Sequence, residues 1–339
     1  MLALKNFPVG PLSVGPLTAQ PGSVVRGHMD LVELADGTPV RFPLVLVNGA
    51  KPGPRFYLGA AIHGDEVNGI AILAKVIAAL DPAKLAGSIV CVPVQHPLAF
   101  YADHRFPVSQ FMKSPLDQAP IDAWTVFPGD LNGNLSQIVA AKLFALIREC
   151  SCAIDIHTPT RGGRYVPIAI LPSMGLGQAA ERALWLAEQC ATGYIVRGER
   201  GMYVSRGISC VEATAAGVPA FTFEIGEGGR LEEGVTAEGA RCITNALIGL
   251  GMIEGERKLP AINHVMTDFV GLRARRGGLL RTEVELGAVV KKGALLATIT
   301  DIFGDTVETI EAPVPGVFVR STTLSNLASG ERAATLGVM

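Results

Sequence analysis

Long apolar runs and an excess of one charge are both missing from this sequence of 339 residues. Its 29 basic and 31 acidic residues give a net charge of −2, so neither a nucleic acid nor an anionic membrane is indicated as a partner. The longest apolar stretch, residues 69–80, contains Lys75 and is too short to cross a bilayer. The N-terminal residues lack a basic segment followed by a long apolar core, so no signal peptide is predicted.

A cysteine pairing pattern is also missing. The six cysteines lie singly in apolar segments, except for Cys150 and Cys152. This usage predicts reduced, mostly buried thiols in a cytoplasmic protein. A Cys-x-Cys metal site at 150–152 is disfavoured because no second cysteine pair accompanies it.

The order of elements predicts an α/β fold. Hydrophobic residues make up 49% of the chain and charged residues 18%, which is typical of a well-buried globular protein. Residues 1–50 are predicted to be a β-rich lead-in. Strands and helices then alternate through a predicted catalytic domain at 51–260, which favours a mixed, largely parallel sheet with helices on both faces. Ligands of such sheets bind at the carboxyl ends of the strands.

The last segment, residues 261–339, has a different pattern of predicted secondary structure. It is rich in strands and turns, and it resembles the small all-β barrel or sandwich of biotinyl and lipoyl carrier domains. Those carriers need a modifiable lysine at a hairpin tip, but the comparable turn here, 300–304, contains none. We therefore predict a structural or substrate-shaping appendage.

Two segments offer metal ligands. FYLGAAIHGDEVNGI, residues 56–70, places His63 and Glu66 at an H-x-x-E spacing, and AIDIHTP places His157 after another apolar run. Two histidines and one glutamate are the ligand set of a catalytic zinc that keeps its fourth position open. H-x-x-E often arises by chance, and a histidine at a strand end can equally be held by the backbone. The occurrence of both segments together favours the zinc site.

A hydrolytic zinc site also needs a carboxylate that moves a proton. Zinc lowers the pKa of bound water to about 7, so that hydroxide is available at neutral pH. Glu224, in FTFEIGEGG, is the candidate because an apolar strand delivers it to the sheet edge, and Glu227 is the second choice. The alternative for both is a loop carboxylate without a role. Asp155 is close enough to His157 in sequence to orient it.

The ordered motifs HGDE, FPG, DIHTP and FEIGEGG resemble those of the succinylglutamate desuccinylase/aspartoacylase family, which comprises zinc hydrolases related to the metallocarboxypeptidases. The resemblance runs from about residue 50 to the end of the chain. It implies a zinc-carboxypeptidase-like fold with His63, Glu66 and His157 as ligands of one zinc ion and Glu224 as general base and acid. The implied reaction is hydrolysis of an N-acyl amide of a small amino-acid-like molecule.

One departure from the family pattern concerns the substrate. The family usually has Asp-Leu-Asn-Arg before FPG, where Asn and Arg hold the substrate, whereas this chain has Trp124 and Thr125 at the Asn and Arg positions. Threonine cannot replace an arginine that grips a carboxylate by two hydrogen bonds. Either the substrate lacks that carboxylate, or Arg161 or Arg164 supplies the grip; the alternative for both arginines is a solvated loop. Trp124 is a candidate wall of an apolar or stacking pocket.

The resemblance also implies an arginine that faces the charge developing on the carbonyl. Arg105 is its expected counterpart, and Lys113 is a second possibility. Either residue is equally compatible with a surface charge.

The sequence thus predicts a zinc-dependent amidohydrolase acting on linear amides other than peptide bonds. One alternative is a carboxypeptidase-like enzyme for short peptides, which would require an open groove. A second is a family member that keeps zinc but only binds a ligand. The acyl group, the amine and a possible homo-oligomer stay open, as does replacement of zinc by iron, cobalt or manganese.

Overall fold

A computed structural model of the protein describes residues 4–107 and 121–339. In those ranges the chain forms α-helices that we number α1 to α6 and strands that we number β1 to β20. The helices are α1 Asn68–Ala78, α2 Pro97–Tyr101, α3 Leu135–Arg148, α4 Gln178–Cys190, α5 Ser209–Ala215 and α6 Glu233–Gly249. The strands up to the end of the helical region are β1 Asn6–Phe7, β2 Leu12–Val14, β3 Leu17–Ala19, β4 Ser23–Glu33, β5 Pro39–Asn48, β6 Lys51–Ala60, β7 Ala86–Val92, β8 Cys152–His157, β9 Gly163–Ile170, β10 Tyr194–Val196 and β11 Ala220–Glu227. The later strands are β12 His264–Met266, β13 Asp268–Arg273, β14 Gly278–Thr282, β15 Val289–Val290, β16 Leu295–Thr300, β17 Thr306–Glu311, β18 Gly316–Thr322, β19 Asn326–Leu327 and β20 Arg332–Val338.

The central sheet confirms the predicted fold class. Its strand order is β13-β20-β18-β9-β11-β8-β6-β7-β5-β4. The four strands at its centre, β11, β8, β6 and β7, run parallel to one another, whereas the strands on either side of them pair antiparallel. The parallel centre brings the carboxyl ends of β6, β8 and β11 to one edge, where ligands bind in sheets of this kind.

Helices cover both faces of the sheet, as predicted. On one face, α1, α4 and α6 contribute Ile72, Leu186 and Ile243 to a hydrophobic core that includes Phe56 and Phe223 from the sheet. On the other face, α3 and α5 pack in a second core. Helix α3 begins at a capping box, in which Asn134 and Gln137 each accept a hydrogen bond from the other's backbone N–H. These two cores hold the parallel strands rigidly and so fix the positions of the residues at their ends.

The C-terminal strands form two connected layers. β18 pairs with β9 and thereby joins β20 and β13 to the central sheet, while β17, β16, β14 and β19 form a separate four-stranded antiparallel sheet. The hairpin between β16 and β17 carries Ile302 and Phe303, which are 82% and 85% exposed, at the turn where a carrier domain would have its lysine. The predicted boundaries at residues 50 and 260 stay predictions.

Burial of the thiols agrees with the expectation from sequence. All six cysteines are free and buried. Cys150 donates a hydrogen bond to the carbonyl of Leu146, and the metal-ligand group found in the described ranges lies elsewhere. None of the helices described is both long and apolar enough to span a membrane.

Candidate active site

The predicted ligands His63, Glu66 and His157 come together at the carboxyl edge of β6 and β8. These strands are parallel neighbours, and His157 is the last residue of β8. His63 lies in the turn that follows β6, and Glu66 precedes α1, so H-x-x-E spans a strand-to-helix turn. Ala61 has a positive φ of 50°, a conformation that side chains rarely adopt, and it redirects the chain immediately before His63.

The turn that carries His63 and Glu66 is fixed by close packing and by backbone hydrogen bonds. A Cβ atom on Gly64 would lie 1.8 Å from the carbonyl oxygen of Ala99, so the two backbone segments approach each other closely at this glycine. Asp65 accepts hydrogen bonds from the N–H of Arg161 at 2.9 Å and from the N–H of Gly229 at 2.6 Å. The turn is therefore tied to the loops that follow β8 and β11.

The ligand atoms converge on one small volume. His63 Nδ1 lies 2.7 Å from Glu66 Oε1, and His157 Nδ1 lies 2.9 Å from Glu66 Oε2. One ligand atom from each residue falls within 4.8 Å of the others, and all three side chains are buried. Both imidazoles thus present Nδ1 to the same carboxylate, as the ligands of one metal ion would.

The opposite nitrogen of each imidazole faces a carboxylate outside this group. His63 Nε2 lies 3.1 Å from Asp122 Oδ1, and His157 Nε2 lies 3.0 Å from Asp155 Oδ2. Asp155 in turn accepts hydrogen bonds from Gln95 Nε2 and Ser209 Oγ, each at 2.7 Å. Metal-bound histidines are usually oriented by such an outer carboxylate, so the arrangement fits a metal ion at the Nδ1 side. Asp155 has the position expected from sequence. Asp122 stands at the Asp of the family's Asp-Leu-Asn-Arg pattern, but its contact with His63 is not predicted from sequence.

Electrostatics at the cluster favour a positive charge. Burial alone would raise the pKa of Glu66, but His63 and His157 outweigh it and lower that pKa to about 2. Burial would lower the pKa of His157, yet Asp155 and Glu66 raise it well above its usual value. Carboxylates that favour extra protons on the histidines also favour a cation between them, and two histidines with one carboxylate are a donor set that suits zinc.

Glu224 lies beside the cluster on the neighbouring strand. It is opposite His157 in the β11–β8 register, and it is 4% exposed. Its Oε1 accepts a hydrogen bond from Tyr203 at 2.6 Å, while Oε2 is buried without a partner in the described residues. Burial raises the pKa of Glu224. Glu227, the second choice, instead accepts a hydrogen bond from Thr323 at 2.7 Å and is absent from the lining of the cleft.

Arg105 reaches the cluster from the segment after α2. Its Nη2 and Nε donate to Asp122 Oδ2 at 2.5 and 3.0 Å, and its Nη1 lies 3.9 Å from Glu66 Oε1. Burial would lower the pKa of Arg105, but Asp122 and Glu66 raise it. The guanidinium therefore stays charged at the edge of the ligand group. Lys113 lies outside the described residues.

Trp124 forms a wall of the cleft, and Thr125 turns away from it. The indole ring of Trp124 lies 5.2 Å from the His157 ring and 5.5 Å from the Tyr203 ring, centroid to centroid. Its Nε1 is buried without a hydrogen-bond partner in the described ranges. Thr125 Oγ1 donates to the Asp122 carbonyl at 2.9 Å, and Thr125 is not among the residues that line the cleft.

A comparison with known families agrees with the motifs and the geometry. Residues 52–250 match the succinylglutamate desuccinylase/aspartoacylase catalytic domain. This chain belongs to that family.

Relatives of known structure or function extend over most of the chain. The N-alpha-acetyl-L-2,4-diaminobutyric acid deacetylase of Halomonas elongata is 26% identical over 280 residues, which are 80% of this chain and 78% of that protein. The product-bound ectoine utilization protein EutE of Ruegeria pomeroyi superposes with a TM-score of 0.81 at 24% identity, covering 98% of this chain and 99% of that one. A succinylglutamate desuccinylase from a Silicibacter species gives a TM-score of 0.80 at 23% identity, covering 99% of both chains. The two structural likenesses show that the fold is shared over the full length.

The arginines expected to replace the family's substrate grip are engaged elsewhere. Arg161 pairs with Asp103. Arg164, which lies on β9 and not in a loop, has its Nη2 2.9 Å from Glu232 Oε2. Neither side chain lines the cleft between the ligands and Glu224, so the structure offers no contact that supports their predicted role.

The cleft has other walls that the sequence did not reveal. It has a volume of about 130 Å³, and Tyr165, Tyr203, Arg320 and Arg332 line it together with the residues described above. Tyr203 lies in a short 3-10 helix after β10, and the two arginines come from β18 and β20. No local motif marks these residues, because only the pairing of β18 with β9 brings the C-terminal strands beside the site.

Proposed function

We propose that this protein is a metal-dependent deacylase that hydrolyses the amide bond of a small N-acylated, amino-acid-like molecule. The observation that carries the proposal is the convergence of His63, Glu66 and His157 beside a buried carboxylate, Glu224, at one edge of the sheet. Membership of the succinylglutamate desuccinylase/aspartoacylase family supports the same reaction class. The deacetylase from Halomonas elongata suggests an N-acetylated amino acid as one candidate substrate.

Zinc is the metal that we propose for the site, held by the two Nδ1 atoms and the Glu66 carboxylate. A zinc ion in such a site supplies Lewis acidity, which polarises a carbonyl and acidifies water. Asp122 and Asp155 hold the ring planes of the two histidines from behind. Each imidazole thus has a carboxylate near the nitrogen that faces away from Glu66.

Glu224 is the residue that we assign to proton transfer. Tyr203 fixes its Oε1, which leaves Oε2 as the oxygen that can accept a proton and return it to the leaving nitrogen. Because burial raises its pKa, the side chain releases that proton more reluctantly than an exposed glutamate. The raised pKa therefore makes this carboxylate a stronger base than an exposed glutamate for the first proton transfer.

Arg105 and Trp124 provide the donors for the substrate oxygen. Arg105 is held in place by Asp122, so its charge faces the cleft without reorganisation when a negative oxygen develops there. The indole N–H of Trp124 is buried and unpaired in the part of the chain that is described, and a buried donor of this kind usually has a ligand or water as its partner. Trp124 would thereby replace the amide donor of the family's asparagine.

The size of the cleft supports a small substrate over a peptide. A peptidase would need an open groove, whereas the cleft here has a volume of about 130 Å³ and is bounded by Arg320 and Arg332 of the C-terminal strands. A ligand-binding protein without turnover would have no use for a buried carboxylate with one free oxygen beside the metal ligands.

The test is hydrolysis of a panel of N-acetyl and N-succinyl amino acids by the zinc-supplemented protein. We expect turnover of at least one panel member and loss of that turnover in Glu224→Ala. Tyr203→Phe is the matched control, because it removes only the hydrogen bond to Oε1 and should retain part of the activity. Hydrolysis of short peptides but of no panel member would favour the peptidase, and binding without any turnover would favour the ligand-binding protein.

A further inference from the structure

Two arginines of the C-terminal strands reach the cleft without a carboxylate partner. Arg320 lies on β18 and Arg332 on β20, and both line the cleft that contains His157 and Glu224. Across residues 4–107 and 121–339, neither guanidinium forms an ion pair. The other arginine of the cleft, Arg105, forms an ion pair with Asp122.

The pairing of β18 with β9 sets the position of the Arg320 side chain. Arg320 lies opposite Tyr165 in the β18–β9 register, and its side chain crosses Gly163 on the same neighbouring strand, β9. A Cβ atom at Gly163 would lie 2.3 Å from Arg320 Nη2, so the guanidinium lies in the space that this glycine leaves open. The one hydrogen bond described for this side chain runs from Nη1 to Thr322 Oγ1 at 3.3 Å. Most of its donors therefore remain available.

The two guanidinium groups are also close enough to disfavour each other. Burial lowers the pKa of Arg320, and the charge of Arg332 lowers it further, while Tyr165, Tyr203 and Glu224 act in the opposite direction. Like charges that face a common cleft are relieved by an anion bound between them. A carboxylate suits this place because a guanidinium binds its two oxygens through parallel hydrogen bonds.

We propose that Arg320 and Arg332 together bind a carboxylate of the substrate and so take over the grip that an Asn-Arg pair provides elsewhere in the family. The inference rests on the proposed deacylase function and narrows it to acidic substrates. Their neutral amides would be poor ligands.

A second cavity gives the rest of such a substrate a place. It has a volume of about 300 Å³ and shares Tyr165, Met202, Tyr203 and Arg332 with the cleft. Phe269 adds to its mainly apolar lining. A molecule whose carboxylate lies at Arg332 therefore has space for a side chain or acyl chain next to the amide.

The test compares each N-acetyl-L-amino acid of a panel with its own α-carboxamide. Binding is measured by calorimetry on the zinc-loaded Glu224→Gln protein, and kcat and KM are measured on the zinc-loaded active protein. Arg320→Gln and Arg332→Gln should each weaken binding of the carboxylate by about tenfold to hundredfold, mainly through KM, and should leave the carboxamide almost unchanged. Arg281→Gln is the control, since Arg281 is exposed and pairs with Glu283 in the four-stranded sheet. N-succinyl amines, which carry the carboxylate on the acyl half, test whether that half is the one held.

The outcomes separate this inference from the function on which it rests. One outcome is that the substrates are hydrolysed, but Arg320→Gln and Arg332→Gln weaken binding of the carboxylate and of the carboxamide equally. That result would overturn the proposed carboxylate grip and leave the deacylase function intact. The same holds if Arg161→Gln or Arg164→Gln removes the carboxylate preference instead. A carboxylate preference in binding without any hydrolysis would support the grip and contradict the deacylase. No preference in any pair, or no binding at all, overturns the inference.

Discussion

The orientation of His157 by Asp155 should contribute measurably to metal affinity. In Asp155→Asn, one oxygen can still accept from Gln95 Nε2, which lies 2.7 Å from Oδ1. The new amide would then point its N–H₂ at Ser209 Oγ and His157 Nε2, where Oδ2 now lies 2.7 and 3.0 Å away. The side chain keeps its shape, but the ring nitrogen of His157 loses a charged partner.

Loss of such an outer partner typically costs about tenfold to hundredfold in metal affinity, which is about 1.4 to 2.8 kcal/mol. We expect this loss for zinc in a competitive chelator titration of Asp155→Asn. Ser209→Ala is the matched control, because it removes one hydrogen bond from Asp155 and leaves the carboxylate on His157. Its zinc affinity should fall by less than tenfold.

The same substitution at the carboxylate that faces the other histidine should affect both zinc binding and turnover. Asp122 faces His63 Nε2 and also anchors Arg105, so Asp122→Asn should weaken zinc binding and reduce kcat even when zinc is saturating. If Asp155→Asn and Asp122→Asn proteins, shown to be folded, bind zinc as tightly as the wild type, then the histidines are not oriented as we describe.

Three further predictions follow from burial and contact. Glu224→Gln should lower kcat by about 10²- to 10⁴-fold while retaining the hydrogen bond from Tyr203. An unchanged kcat would exclude Glu224 as the base. Because burial raises the pKa of Glu224, ionisation of this group in the folded protein costs stability as pH rises above the ordinary glutamate range. The free energy of unfolding should therefore change less with pH in the variant than in the wild type. Burial raises the pKa of the Cys91 and Cys210 thiols to about 12. A thiol reagent at pH 8 should therefore label none of the six cysteines in native protein and all six in denaturant. Rapid labelling of native protein would contradict their burial. Gly64→Ala should destabilise the fold by about 1 to 3 kcal/mol in denaturant unfolding, because its Cβ would overlap the Ala99 carbonyl. Gly10→Ala, whose Cβ meets nothing within 4 Å, is the control, and equal stability of the two variants would refute the close packing.

Local sequence patterns predict the elements that carry the proposed metal ligands. The apolar strand followed by H-x-x-E, and the apolar strand that ends at His157, each identify a side chain at a strand end from a few neighbouring residues. Parallel alternation then places those ends at one edge of the sheet. For this reason the fold class and the grouping of His63, Glu66, His157 and Glu224 follow from the amino-acid sequence alone.

One strand is hard to recognise from sequence because it contains a proline. The segment GRYVPIAI has the pattern of the end of a basic loop, whereas it forms β9. A proline normally argues against a central strand because it has no N–H to donate. Here the β11 partner changes register between Glu224 and Gly226, and the irregularity lies opposite the residues around Pro167. The bulge therefore accommodates a residue that the strand pattern would exclude.

Contacts between distant segments do not follow from the sequence. Asp122 reaches His63 from 59 positions away, and Arg320 enters the cleft only because β18 pairs with β9. Strand and helix periodicity specifies which face of an element is buried, but it does not specify which distant element lies against it. Arg161 and Arg164 are candidates for the grip only because they are near His157 in sequence, and the structure pairs both with carboxylates elsewhere.

The metal content of the purified protein tests the central claim most directly. We predict about one zinc ion per chain after zinc supplementation and dialysis, and loss of that ion in folded His63→Ala and His157→Ala proteins, since a site with two remaining protein ligands binds zinc weakly. His104→Ala is the control, because His104 lies outside the ligand group, and it should retain the ion. Wild-type protein that binds no metal, or variants that retain it at full stoichiometry, would contradict the assignment of His63, Glu66 and His157 as a metal site.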